Sequence, residues 1–271
     1  MSGASETPLD LVGGPWAVIE SDPGVFTTLL RELGAQKLQL VELYDIEPWA
    51  VDHLHPHGLI FCFLWQGDAH RPSDFRDPAA DQVWFANQLV DDGCASYAFL
   101  NVLMNCPDVY IGQNLTEFRA DTEQMSPVMK GLAVSNNEQL RHAHNSLARY
   151  GSKGKEKAEE STAMEEDETY HFIGYVPAHG KVWELDGLKT GPLEVGEYTS
   201  HKAWMDTARP ALRMKMERYG GSGANIRFSL LALVDSAYEI ASDEYELVKK
   251  AKSTVERVLG ERWPAWREKV S

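Results

Sequence analysis

The run "GLIFCFLW", residues 58–65, constrains the fold more than any other stretch of the chain. It is apolar without alternation and far too short to span a bilayer as a helix. It therefore reads as a central strand covered on both faces. Such a strand needs partners and two covering layers. The partners are supplied by "KLQLVELY" (37–44), "YHFIGYVP" (170–177), "KVWELDG" (181–187) and "IRFSLLALV" (226–234).

Amphipathic segments supply the layers. In "SDPGVFTTLLRELGAQ", Asp22 can cap a helix, Pro23 suits its first turn and Gly34 can end it. Val25, Phe26, Leu29, Leu30 and Leu33 form one apolar face. Two helical stretches are expected around residues 84–106, broken at "DDG" (91–93). Others are expected from "SPVMKGLAV" (126–134), from "SNNEQLRHAHNSLARY" (135–150, with Ser135 and Glu138 as a capping box) and around "ARPALRMKMERYG" (208–220). "DEYELVKKAKSTVERVLG" (243–260) reads as a last amphipathic helix, opened by Asp243 and Glu246 and closed by Gly260. Its stripe of Leu247, Val248, Ala251, Val255 and Val258 must face either its own domain or a partner. The alternation of helices and strands gives a mixed α/β (α+β) class.

Residues 151–168, "GSKGKEKAEESTAMEEDE", are small or charged except for Met164. They cannot bury enough surface to order themselves, and read as a mobile functional loop. The chain carries 41 acidic against 26 basic residues, a net charge of -15, which argues against a nucleic-acid partner and allows a basic protein partner. No signal peptide or membrane span is expected. The three cysteines are too few and too odd for a disulfide framework and point to a reducing, cytoplasmic or nuclear setting.

Those cysteines are chemically distinct. Cys62 sits inside the apolar run and Cys106 at a helix end, and both read as structural. Cys94 follows Gly93 where a helix should begin. Free backbone N–H groups there favour a thiolate and can receive an oxyanion, although Asp91 and Asp92 oppose the negative charge. If "AHG" and its neighbour Pro177 form a four-residue hairpin loop over 177–180, His171 falls opposite Asp186, an arrangement suited to orienting an imidazole base. A two-residue loop would place His171 opposite Leu188 instead. Gln88, six residues before Cys94, has an amide able to serve an oxyanion, or is a surface glutamine. "HLHPH" (His53, His55, His57) could present three imidazoles on one side of an extended chain, but lacks companion ligands. "GGSG" (220–223) reads as a flexible turn.

Together these segments resemble the ubiquitin C-terminal hydrolase family of cysteine proteases, peptidase family C12. The matching stretches are "WAVIESDPGVFTTLL", "HGLIFCFLW", "WFANQLVDDGCASYAFLNVLMNC", "HNSLAR", "YHFIGYVPAHGKVWELDGLKTGPLEVG" and "IRFSLLALV". They run in the family's order over roughly residues 15–235. The likeness is greatest to the long branch that includes proteasome- and chromatin-associated enzymes. The resemblance implies a papain-like fold with a knotted backbone and a mostly antiparallel sheet. It implies Cys94 as nucleophile, Gln88 as oxyanion donor, His171 as base and Asp186 as its orienting residue, with no metal or organic cofactor. It implies a catalytic domain over 1–235, with 151–168 as the crossover loop above the substrate tail, and a C-terminal helical extension over 236–271. Ubiquitin and its conjugates would be the substrates, and an adaptor could dock on the C-terminal helix. A ubiquitin-binding adaptor of low turnover, or a papain-type protease or acyltransferase with another substrate, are the alternatives on residues alone.

Overall fold

A computed structural model describes residues 12–64, 77–148, 170–200, 203–219 and 228–266. The expected loop over 151–168 and the "GGSG" turn lie outside these residues. The chain divides into two compact units, Met1–Val234 and Asp235–Ser271.

The first unit is built on a six-stranded sheet. Its strands are β1 (Leu38–Glu42), β2 (Gly58–Leu64), β3 (Tyr170–Ala178), β4 (Lys181–Leu185), β5 (Leu193–Glu197) and β6 (Phe228–Asp235), in the order β1-β6-β2-β3-β4-β5. β2 pairs antiparallel with both β3 and β6, and β4 antiparallel with both β3 and β5. All seven residues of β2 are buried, as its unbroken apolar run requires.

Strand parity divides the core in two. Ile60 and Cys62 of β2 point into one layer with Phe172, Val176, Trp183 and Leu231, against helices α1 (Pro23–Glu32) and α3 (Cys94–Leu103). Leu59, Phe61 and Phe63 point the other way, with Ile173, Tyr175 and Val182. They meet Trp204, Met205, Ala208 and Leu212 of α7, which runs from Trp204 to Tyr219. Helix α1 forms as its sequence directs: Asp22 Oδ1 accepts the Val25 N–H at 2.9 Å, Pro23 opens the first turn, and Phe26, Leu29 and Leu30 are buried.

Several sequence expectations are corrected. Residues 84–90 are not helical, because their backbone groups bond side chains and loops rather than one another. The cap of α6 (Glu138–Ser146) is Asn137, whose Oδ1 accepts the Leu140 N–H at 3.0 Å. Ser135 lies inside α5 (Pro127–Asn136), which continues past the expected boundary. Three elements had weak sequence signals: the four-residue α2 (Pro48–Val51), α4 (Gln113–Thr122), whose apolar face is narrow, and the edge strand β5. "HLHPH" is not extended, since residues 52–54 form a 3-10 turn and His55 is left-handed, at φ 47°. Among the described residues no group of three or more His, Cys, Asp or Glu could hold a metal ion.

In the second unit α8 runs from Ala237 to Arg262. Its cap is Ser236, seven residues before the expected cap Asp243, and it passes through Gly260. None of its residues is buried. No described helix is long and apolar enough to cross a membrane.

Candidate active site

Each candidate residue is set by a different element. Cys94 is the first residue of α3, preceded by a 3-10 turn over Asp91–Gly93. Its thiol is pushed up to about 11, against the lowering expected for a helix start. Burial is the main cause. The Ala95 and Cys94 N–H groups act in the other direction, and Asp92 and then Asp91 add to the rise. Helix position alone therefore leaves this thiol neutral. Cys62 and Cys106 are more buried, and both are pushed up to about 12, chiefly by burial. Cys106 donates its S–H to the Val102 carbonyl at 3.4 Å, within its own helix end. Both are packing residues.

His171 and Asp186 meet, but not through the expected register. β3 and β4 are joined by a two-residue turn, His179–Gly180, with φ values of 51° and 80°. This is the doubly left-handed geometry that matches strand twist, with Gly180 supplying freedom at the second position. The ladder pairs Ala178 with Lys181 and Gly174 with Leu185, two residues away from the register that a four-residue loop gives. Continued, it would set His171 opposite Leu188. A two-residue shift keeps every side chain on its original face, so Asp186 becomes a diagonal neighbour of His171. Asp186 has also left the strand, and its carboxylate closes the remaining distance. The imidazole Nε2–H donates to Asp186 Oδ1 at 2.7 Å, with both side chains more than 90% buried.

The same Oδ1 accepts the Leu188 N–H at 3.0 Å. Burial alone would raise the Asp186 carboxyl. The His171 hydrogen bond and charge, the Leu188 N–H and Lys189 outweigh it and hold the group below its usual range. The His171 ring sits edge-on to Phe63 at 5.7 Å between centroids, and Phe63 stacks on Tyr219 of α7 at 4.2 Å. Behind the pair, Glu184 accepts from the Tyr175 hydroxyl at 2.7 Å and from Lys215 Nζ at 2.9 Å, so β4 is tied to α7 by a buried ion pair.

Gln88 is joined to the Asp186 turn. Its N–H donates to the Gly187 carbonyl at 2.9 Å. The approach is so close that a Cβ at position 187 would stand 3.0 Å from the Gln88 backbone N and Cβ. Asn87 Nδ2 spans the same turn, donating to the Gly187 and Lys189 carbonyls at 3.1 and 2.6 Å. Among the described residues the buried Gln88 Oε1 has no hydrogen-bond partner, and burial of that atom sets its side chain apart from the surface glutamine that spacing alone allows.

Gln88, His171 and Asp186 are thus one connected group, and Cys94 lies six residues along the chain from Gln88. Among the described residues no hydrogen bond joins the Cys94 thiol to His171. Sequence reasoning missed Asn87, Glu184 and Lys215. Asn87 had a signal in being a polar residue directly before Gln88. Lys215 had none, since its partner is 31 positions away.

A thiol, an imidazole–carboxylate pair and an amide are the groups that cysteine acyl transfer requires. Residues 16–217 match the model of the ubiquitin carboxyl-terminal hydrolase family 1, peptidase C12. The chain is 34% identical to ubiquitin carboxyl-terminal hydrolase isozyme L5 of Dictyostelium discoideum, over 91% of this chain and 69% of that protein. It is 38% identical to the hydrolase ubh-4 of Caenorhabditis elegans, over 82% and 67%. It is 34% identical to the hydrolase BAP1 of Xenopus tropicalis, of which it spans only 37%. Among solved structures, the Trichinella spiralis UCH37 catalytic domain bound to ubiquitin vinyl methyl ester superimposes with a TM-score of 0.69 at 33% identity, over 83% of this chain and 98% of that one. The chain belongs to the ubiquitin carboxyl-terminal hydrolases of family 1, thiol-dependent deubiquitinating enzymes with a papain-like α/β fold.

Proposed function

We propose that Cys94, His171, Asp186 and Gln88 carry the hydrolysis in this enzyme. In this reading His171 takes the Cys94 proton at the ring nitrogen not engaged by Asp186. The thiolate then adds to the carbonyl of ubiquitin's terminal glycine. Gln88 Nε2–H and the Cys94 backbone N–H hold the oxyanion. The imidazolium protonates the leaving amine, and water attacks the thioester with His171 again as base. The observation that supports this most is the buried 2.7 Å contact between His171 and Asp186, on a turn hydrogen-bonded to Gln88. The pair fixes the tautomer and stabilises the imidazolium. A UCH37 structure holding a ubiquitin electrophile, at 33% identity, supports ubiquitin as substrate.

Incubation with a ubiquitin vinyl methyl ester tests the nucleophile. A covalent adduct mapped to Cys94 by peptide mass spectrometry, absent in Cys94→Ala, is the expected result. Ubiquitin binding without an adduct would instead identify a non-catalytic ubiquitin adaptor, and equal turnover of unrelated peptides a general papain-type protease.

The same reading assigns residues 1–235 as the catalytic domain and 236–271 as a C-terminal extension with an adaptor-binding role, in a cytoplasmic or nuclear protein. Residues 151–168 act in it as the crossover loop over the substrate tail. Shortening that segment is expected to slow release of bulky ubiquitin conjugates more than release of a small leaving group. Equal losses on both substrates count against a filtering role.

A further inference from the structure

We propose that Asn101 and Asn105 are positioning residues for Gln88, fixing the register of segment 84–88 against the helix that begins at Cys94. This inference rests on the reading of Gln88 as the oxyanion donor. Asn101 Oδ1 accepts the Ala86 N–H at 2.8 Å, and Asn101 Nδ2 donates to the Ala86 carbonyl at 3.1 Å. One turn later, Asn105 Oδ1 accepts the Trp84 N–H at 2.9 Å, and Asn105 Nδ2 donates to the Trp84 carbonyl at 2.8 Å. Each amide thus uses both its acceptor and its donor on the backbone of a single residue. Asn105 Nδ2 also donates to the Asn101 carbonyl at 2.7 Å, which locks the lower amide to the helix.

The spacing makes this a register device rather than two separate bonds. Four residues of α-helix rise about 6.0 Å. Two residues of extended chain span about 6.6 Å. Asn101, in the last turn of α3, and Asn105, two residues past its end, therefore meet alternate residues of a segment running antiparallel to the helix. Carried one step further, the pattern brings Gln88 level with Tyr97, in the first turn that Cys94 opens. Tyr97 is itself fixed by its hydroxyl, which donates to the Gly131 carbonyl at 2.8 Å. The far end of the segment is held by the Gln88 N–H on Gly187.

Asn101 is completely buried and Asn105 nearly so. A slip of one residue would leave two buried side-chain amides and two backbone peptides unpaired, at about 1–3 kcal/mol for each group. The helix bearing the nucleophile and the segment bearing the oxyanion donor therefore move as one body. Displacements of about 1 Å at such a site can cost on the order of 10²-fold in rate.

A double-mutant cycle tests this. Asn101→Ala is made in the wild-type and Gln88→Ala backgrounds, with kcat and KM for release of a fluorogenic amine from the ubiquitin C-terminus as the readout. Alkylation of Cys94 by iodoacetamide is measured alongside, because displacement at a saturated carbon forms no oxyanion. Gln88→Ala is expected to lower kcat about 10²- to 10³-fold. Asn101→Ala is expected to lower kcat about 10-fold or more with alkylation within about 2-fold, and to have no further effect once Gln88 is Ala.

Asn101→Asp keeps the acceptor for the Ala86 N–H. It carries the test through the same cycle if the alanine variant does not fold. Equal losses in both backgrounds, or alkylation falling in step with kcat, would show a general packing role and overturn the inference while leaving Gln88 in place. An undiminished kcat in Gln88→Ala would overturn the oxyanion assignment itself and this inference with it.

Discussion

Replacing Asp186 by asparagine isolates the charge of the His171 partner from its geometry. The Asp186 Oδ1 alone accepts both the His171 Nε2–H, at 2.7 Å, and the Leu188 N–H, at 3.0 Å. An asparagine carbonyl oxygen in the same place keeps both bonds, and the Leu188 N–H selects the amide rotamer that puts oxygen rather than nitrogen there. The His171 tautomer is then preserved, and only the stabilisation of the imidazolium by a formal charge is lost. A hydrogen bond to a charged group contributes about 1.5–3 kcal/mol and a neutral one about 1 kcal/mol, so the difference is about 0.5–2 kcal/mol. That corresponds to a loss of about 2- to 30-fold in kcat/KM. Asp186→Ala removes the orienting bond altogether and is expected to lose about 10²-fold or more. The assay is hydrolysis of a fluorogenic ubiquitin C-terminal amide, with ubiquitin affinity and thermal unfolding measured for each variant. A loss near 10⁴-fold for asparagine, the size seen in serine-protease triads when the wrong tautomer is imposed, would refute the single-oxygen reasoning. So would equal losses for asparagine and alanine.

Three further outcomes follow from the same geometry. Because burial and then Asp92 and Asp91 hold the Cys94 thiol near about 11, alkylation of the free enzyme should rise about tenfold per pH unit across neutral and mildly alkaline pH. Asp92→Asn should accelerate it more than Asp91→Asn, whereas a rate already flat at neutral pH would show a preformed thiolate. Lys215→Met strands the buried Glu184 carboxylate and should cost about 3–5 kcal/mol in urea unfolding. Glu184→Gln combined with Lys215→Met should cost less, and the reverse order would deny the buried pair its role. The Asp186 carboxyl has a folded-state value below its unfolded one. Its stabilisation is therefore complete above about pH 4 and lost as pH falls through the folded value. The acid limb of stability should be shallower in Asp186→Asn than in wild type, and superimposable limbs would contradict the assignment.

What the sequence made legible was governed by how local the determining interactions are. β2 and α1 are set by runs and caps within a dozen residues, and both stand where the pattern puts them. The start of α3 at Cys94 was legible because Gly93 interrupts the preceding segment. Residues 84–90 carry an apolar pattern as suited to a helix as to a strand. Their non-helical form is decided by Asn101 and Asn105, more than a dozen residues away. The hairpin register was misplaced because His179–Gly180 uses histidine where asparagine or aspartate usually marks such a turn. The start of α8 was misplaced for a different reason, since two serviceable caps lie in the same stretch and the earlier one, Ser236, prevails. The height of the Cys94 thiol was illegible, because it depends on burial that only the folded chain creates.

The two-residue turn at His179–Gly180 also sets the rule by which this hairpin can change length. Lengthening or shortening it by one residue would rotate β4 by half a pleat, sending Val182 from the α7 layer into the layer packed on α1 and α3, and Asp186 to the far side of the sheet from His171. A change of two residues keeps each strand's sidedness and leaves the carboxylate within reach along the diagonal. Length variation at this turn should therefore be tolerated in even steps only. The distance between an imidazole and its carboxylate is protected less by a fixed pairing than by the arithmetic of the pleat.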